Sequence, residues 1–220
     1  MYNLTISEKL RSRWKHIGIG IINCKVKVHE SHEELRYMLE YRAAEIQSHF
    51  KIEDIPQLPQ IYDGRKAYKA FGKKPARYRL SSEALLRRIL KGQGLYFVNN
   101  IVDINNLMSL KSYFPICAFD MDHVHPPVEF TLGNKKDHYD AIGRGPLNIE
   151  NLPVFSDQKG KFGSPTSDSE GVKITEITTS LSMNIVSFSG KDNLEKTLEE
   201  LEGHLKTFAS ARETERNIIG

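Results

Sequence analysis

The sequence predicts an α+β fold, and three observations carry that reading. The first apolar run, residues 17–28, is rich in β-branched residues and glycine, and it alternates over Cys24-Lys25-Val26-Lys27-Val28 as a strand does. From about residue 30 to 112 the apolar residues instead recur at helical spacing, and after Pro115 short apolar segments are divided by Gly, Pro and Asn. A final amphipathic segment closes the chain. A strand unit, a helical middle (about 30–112), a strand-rich half (about 115–189) and a packing helix (about 191–210) do not alternate as βαβ units would, so strands and helices are segregated. The 220 residues suffice to bury a large core without a metal or disulfide staple, and 1–220 is read as one domain.

Each element has its own signal. Ser31 with Glu34 makes a capping box, followed by Leu35, Met38, Leu39, Ala43, Ile46 and Phe50 on one helical face. Ile55-Pro56-Gln57-Leu58-Pro59 reads as a linker. Helices are expected over about 61–71 and 81–91, the second capped by Ser81, with Leu85, Leu86, Ile89 and Leu90 inward and Gly92 and Gly94 beyond its end. Residues 97–110 read as a buried helix. Strands are expected at 116–124, 128–132, 139–142, 152–155, 173–178 and 181–188. Leu194, Leu198, Leu201, Leu205 and Phe208 form the apolar stripe of the last helix, with Glu195, Glu199, Glu200 and Glu202 on its solvated side.

A mean hydropathy of −0.45 excludes a membrane-embedded chain, so no membrane partner is expected. The first residues lack a signal-peptide pattern, and the two cysteines, Cys24 and Cys117, form no paired framework; both features suit a reducing cytoplasm. The net charge is only +3, but its distribution is uneven. Between Gly64 and Lys91, ten cations (Arg65, Lys66, Lys69, Lys73, Lys74, Arg77, Arg79, Arg87, Arg88 and Lys91) face one acid, Glu83, leaving the rest of the chain at −6. Tyr62, Tyr68, Phe71 and Tyr78 are interleaved with them. Such a stretch attracts a phosphate backbone and offers rings to unpaired bases; alternatively it is a solvated helical face whose rings belong to the core.

Asp120, Asp122, His123 and His125 have the ligand types of a metal site. Strand alternation separates the two acids from the two histidines, and a third ligand would have to come from His138 or Asp140, so no metal is expected. Cys117 lies between apolar neighbours and reads as an inert core thiol. Walker, GxGxxG, GxSxG and HExxH motifs are absent. The hydroxyl-rich loop Gly163-Ser164-Pro165-Thr166-Ser167-Asp168-Ser169 either offers backbone N–H groups and hydroxyls to a ligand or is a turn satisfied by its own caps.

The run Tyr68-Lys69-Ala70-Phe71-Gly72, then Pro75-Ala76-Arg77-Tyr78-Arg79-Leu80-Ser81-Ser82-Glu83-Ala84-Leu85-Leu86-Arg87-Arg88, then Val102-Asp103-Ile104-Asn105-Asn106, and Ala118-Phe119-Asp120 after Pro115, resembles the B3/B4 domain. This is the editing and tRNA-binding domain of the bacterial phenylalanyl-tRNA synthetase beta subunit. The segment Gly163–Ser169 is similar to free-standing B3/B4 proteins, and the likeness runs from about residue 17 to 188.

The resemblance implies a three-layer β/β/α sandwich with a pocket between layers, cytoplasmic location, no cofactor, a tRNA or other RNA partner, and an aminoacyl or amino-acid ligand. In the synthetase the pocket hydrolyses tyrosine mischarged onto phenylalanine tRNA. The implied pocket residues are Asn105, Asn106, Cys117, Gly163, Thr166, Asp168 and Ser169, and the implied RNA contacts are Arg65, Lys66, Lys69, Lys73, Lys74, Arg77, Arg79, Arg87 and Arg88. Departures bear on the chemistry. Asn105 and Leu107 replace a threonine and a tyrosine, Cys117 stands where the family has its editing histidine, the region of Met183-Asn184-Ile185 offers no acid, and Gly171 follows Glu170 where an arginine is common. Three functions follow: an editing hydrolase acting in trans, an RNA-binding module without chemistry, and an amino-acid or metabolite binder.

Overall fold

A computed structural model describes residues 3–220. In chain order the elements are β1 (Leu4–Ile6), α1 (Glu8–Arg11), β2 (Gly18–Lys25), α2 (Glu33–His49), α3 (Pro59–Ala70), α4 (Ser81–Leu90), α5 (Asn100–Ser112), β3 (Ile116–Asp120), β4 (Val128–Leu132), β5 (His138–Ala141), β6 (Gly145–Asn148), β7 (Pro153–Asp157), β8 (Gly160–Gly163), β9 (Ser180–Ser187), α6 (Leu194–Ala209) and β10 (Arg212–Ile219). The central sheet is antiparallel, in the order β10-β2-β9-β3, and the outer sheet has the order β1-β4-β7-β8; β5 and β6 form a separate hairpin.

The pleat of the central sheet builds the layers. Ile22, Cys24, Met183, Ile185, Ile116 and Ala118 face the helices, packing with Leu35, Leu86, Ile104, Leu198 and Leu201. The alternate residues Ile19, Ile21, Val186, Cys117 and Phe119 face the outer sheet, packing with Phe130, Val154, Phe155 and Phe162. Two faces and two cores give the α+β, β/β/α sandwich. Where α6 crosses β2, Gly20 lets the helix approach: a Cβ there would lie 3.2 Å from Leu198.

Several local readings change. Ser31 does not cap α2, whose N-cap is His32 without a side-chain bond; the Ser31 hydroxyl donates instead to the buried Asp103 carboxylate at 2.5 Å. Ser81 is the first residue of α4 rather than its cap, and its backbone N–H donates to the Pro165 carbonyl at 2.7 Å. Residues 173–178 form a turn, because the Thr178 hydroxyl accepts the Thr175 N–H and donates to Asp120, and Ile177 is left 83% exposed. Asp120 is thereby committed to Thr178 and to the Asp122 N–H, and no group of three or more metal-ligating side chains forms among the described residues. Strands β1, β6, β8 and β10 lack a periodic signal in the sequence. Among the described residues no helix is long and apolar enough to cross a membrane.

Asn100, fully buried, locks the helix layer to the sheet. Its amide donates to the Lys27 and Phe208 carbonyls at 2.9 and 2.8 Å, and its oxygen accepts from the His29 N–H at 3.1 Å, joining the end of β2, the start of α5 and the end of α6. Replacing it strands buried backbone groups, which costs more than the bonds themselves. Asn100→Ala is therefore expected to destabilise the protein by about 3 kcal/mol, read as a lower urea midpoint with unchanged slope.

Candidate functional site

The site forms where strand β3 is the open edge of the central sheet. Its outward backbone groups need partners, and two side chains supply them. Asn105 of α5 donates to the Ile116 carbonyl at 3.2 Å, and the Asp168 carboxylate accepts the Ala118 N–H at 3.3 Å. The other Asp168 oxygen accepts the Ser164 N–H at 3.2 Å, so the loop from Ser164 to Asp168 closes on itself against the sheet edge. Gly163 permits this approach: a Cβ there would lie 2.5 Å from the Phe119 ring and 3.0 Å from the Asp168 carboxylate.

The loop is held from every side. The Ser164 hydroxyl accepts the Thr166 and Ser167 N–H groups and donates to the Ser167 carbonyl. Tyr139 of the hairpin donates to that same carbonyl at 2.6 Å, Tyr68 bonds Thr166 at 3.0 Å, and the Ile142 N–H donates to the Asp168 carbonyl. Most of the loop's N–H groups and hydroxyls are thus spent on the loop itself and on Tyr68 and Tyr139, as a self-capped turn requires, while Thr166, Ser167 and Asp168 also line the cleft.

Against this edge lies a two-lobed cleft between α4, α5, β3, the loop and the tip of the hairpin. One lobe, about 380 Å³, is walled by Leu85, Leu95, Val98, Val102, Ala118 and Ile174, with Asn105, Asn106 and Asp168 on its polar side. The adjoining lobe, about 420 Å³, shares Asn105, Asn106 and Asp168 and adds Arg144, Thr166 and Ser167. At the mouth the Arg88 guanidinium lies 4.6 Å from the centroid of the Tyr96 ring and donates to the Gly94 and Gln93 carbonyls. The Asn106 amide makes no hydrogen bond within the described chain and faces the cleft uncommitted.

Asp168 is the electrostatic feature of the site. The residue is half-buried and lines the cleft, and burial raises its pKa to about 7 against the opposing pull of the Ala118 N–H, the Cys117 thiol and the Ser164 N–H. Among the described residues no ion pair offsets the burial. Cys117 touches the carboxyl from behind; burial and the Asp168 charge push its own pKa well up, so the thiol stays neutral.

The structure sorts the residues singled out in the sequence. Asn105, Asn106, Thr166 and Asp168 meet at the cleft. Cys117 does not line it, because strand alternation points 117 into the sheet–sheet core and 118 into the cleft. Gly163 lies in that core too, and Ser169 turns away to cap a short 3-10 turn at Gly171.

The basic stretch divides likewise. Arg65 and Arg87 are not free for RNA, since both bind the fully buried Glu83, at 2.8 and 2.9 Å, and so join α3 to α4. Tyr68 and Phe71 are core residues, and Lys73 and Arg77 lie over the Tyr78 ring. Lys66, Lys69, Lys74, Arg77, Arg79 and Lys91 are exposed. Arg144, Tyr96 and the aliphatic wall were missed in the sequence, as was the part of Arg88 in the cleft. The Gly92/Gly94 pair that folds Tyr96 back onto Arg88 was the available signal.

A family model for the B3/4 domain matches residues 63–218. The chain belongs to the B3/4 domain family. No curated protein matches it. Among solved structures it is similar to an N-terminal fragment of the phenylalanyl-tRNA synthetase beta-subunit from Pyrococcus horikoshii, with TM-score 0.48 and 12% identity over 99% of this chain and 50% of that one. The chain thus spans about half the length of that fragment.

A carboxyl whose pKa rises on folding stabilises the fold while protonated, and that contribution is lost as pH rises from the ordinary carboxylate range through about 7. The carboxyl carbon of Asp168 is expected to titrate by NMR near pH 7, and the urea midpoint to fall between pH 5 and 8. Asp168→Asn should flatten that fall; an unchanged pH profile in the variant would assign it to other groups.

Proposed function

We propose that this B3/4 protein associates with tRNA through the exposed cations of α3, α4 and the segment between them, and hydrolyses an aminoacyl ester presented to the cleft. The observation that carries the reading is that the Asp168 carboxyl and the uncommitted Asn106 amide line the same cleft, which has aliphatic walls and a cationic mouth. A group titrating near 7 is suited to move a proton at neutral pH. Water attacks the acyl carbon and gives its proton to Asp168; the ester C–O bond then breaks, and the departing ribose oxygen takes a proton back from Asp168. Asn106 donates to the ligand, and the Arg88 and Arg144 side chains stand where phosphate or ester oxygens enter.

A second reading, RNA binding without chemistry, is favoured by one observation. The residue at the family's editing-histidine position is a neutral thiol outside the cleft. An amino-acid binder would use the same cleft and leave the exposed cations without a role.

The test is a set of aminoacylated tRNAs at micromolar protein, scored for release of the amino acid, beside tRNA binding at two salt concentrations. Expected is hydrolysis above the spontaneous rate, lowered about 100-fold in Asp168→Asn with binding retained. Replacing Lys66, Lys69, Lys74 and Arg79 by alanine should weaken binding for all tRNAs and flatten its salt slope by about one for each phosphate left without a cation. Salt-dependent binding with no hydrolysis would select the second reading; neither activity would leave the amino-acid binder.

A further inference from the structure

The acids and histidines of residues 120–125 part company in the fold. Asp120 is held inside by Thr178, whereas His123 and His125 line a separate cavity of about 220 Å³ that shares no lining residue with the cleft. One carboxylate builds this cavity from two turns. Asp157, at the end of β7, accepts the His125 N–H at 2.8 Å through one oxygen, and the Lys159 and Gly160 N–H groups at 2.8 and 3.1 Å through the other. The Gln158 N–H and side-chain amide donate to the His125 and Pro126 carbonyls at 3.1 and 2.7 Å, so the β7–β8 turn is stapled to the His125 segment. The buried Phe162 and Val172 supply the apolar part of the lining.

The charges around it divide into spent and unspent. Both Asp157 oxygens are occupied by backbone N–H groups, and Lys161 is paired with Asp137 at 3.1 Å. The side chains of His123, His125 and Lys159 make no hydrogen bond or ion pair among the described residues. Nearby, Glu170 is bonded to Lys173 at 2.9 Å, and Asp122 is exposed and lies outside the lining. Two lysines therefore meet two acids, Asp157 and Asp137, and the cavity is electrically neutral while both imidazoles are neutral. Protonating them leaves two uncompensated positive charges and gives each ring two N–H donors. We propose that the cavity binds an oxyanion of the phosphate type through His123, His125 and Lys159, and that it fills as pH falls through the imidazole range. A metal cation is disfavoured there, because the one carboxylate in the lining already carries three N–H donors.

The experiment uses the full chain and sulfate, which keeps its double charge across neutral pH, so that any pH dependence belongs to the protein; ionic strength is held constant with chloride. Sulfate added in mildly acidic buffer is expected to shift the ring signals of two of the eight histidines by NMR, identified as His123 and His125 by their loss in His123→Gln and His125→Gln. Affinity should fall roughly tenfold from mildly acidic to mildly alkaline buffer as the two charges are lost. The double glutamine variant should bind in acid as weakly as the natural chain does in alkali, and Lys159→Ala should weaken binding in both. None of these side chains has a bond to lose, so the urea midpoints of the variants should stay unchanged. Methyl phosphate and dimethyl phosphate separate the sources of the anion: preference for the monoester assigns the cavity to a small phosphorylated ligand, and equal binding of the diester assigns it to a nucleic-acid backbone. Absence of sulfate binding in acid, shifts spread alike over all eight histidines, or undiminished binding in the double variant would each overturn the proposal.

Discussion

An edge strand of a sheet presents backbone groups that must be met by something, and in this protein the edge of β3 is met by side chains rather than by another strand. Asp168 takes the Ala118 N–H, and Asn105 gives a hydrogen to the Ile116 carbonyl. These two bonds fix where the Ser164–Asp168 loop and helix α5 sit relative to the central sheet, and the space between them is the cleft. The arrangement has an electrostatic cost. A carboxylate held by two backbone N–H groups and a thiol, with no cation paired to it among the described residues, is under-compensated for its burial, and its pKa rises to about 7. The interaction that closes the sheet edge thus also produces a group able to exchange a proton at neutral pH.

The cations show how one stretch of sequence serves two purposes. Glu83 is completely buried and would be untenable alone, so Arg65 and Arg87 reach it from α3 and from the next turn of α4. Their aliphatic stems cover the joint between the helices while the guanidinium groups neutralise the acid. Those two charges belong to the fold. Lys66, Lys69, Lys74 and Arg79 form no ion pair among the described residues and stand in solvent. An anionic partner would meet the second set and not the first.

Elements whose packing is amphipathic were legible in the sequence: the leucine stripe of α6 and the apolar face of α4 appear where the periodicity placed them, while β2 fills most of the strand read at 17–28 but ends at Lys25, inside the alternating run 24–28. What was not legible has identifiable causes. Strand β10 lies on the sheet edge, half of it is charged, and Arg216 reaches across to Glu195, Glu199 and Glu202 on α6, so its pattern did not announce the pairing, although Glu195 and Glu199 are exposed as read. Residues 173–178 have the β-branched composition of a strand, but a threonine hydroxyl there satisfies the backbone locally. Ser31 has the spacing of a cap, yet the helix begins one residue later, with His32 at its N-cap, and the Ser31 hydroxyl donates to a carboxylate 72 residues away. At Ser31 and in β10 a side-chain bond reaches a partner distant in sequence, which local spacing does not announce. In the site, Asn105, Asn106, Thr166 and Asp168 were found through the family likeness, while the aliphatic wall, drawn from α4, α5, β3 and two loops, has no local signature at all.

Cys117 illustrates what one position can do to its neighbour without entering the cleft. The pleat places its thiol on the sheet–sheet face, directly behind the carboxyl of Asp168. A histidine placed behind a carboxyl can carry a positive charge, and a positive charge within a few ångströms lowers a carboxyl pKa. The thiol can only donate a weak, uncharged hydrogen bond, because its own ionisation is suppressed by burial and by Asp168 itself. Burial therefore prevails at Asp168, and the raised pKa follows from the neutral residue behind it as much as from the closed loop in front.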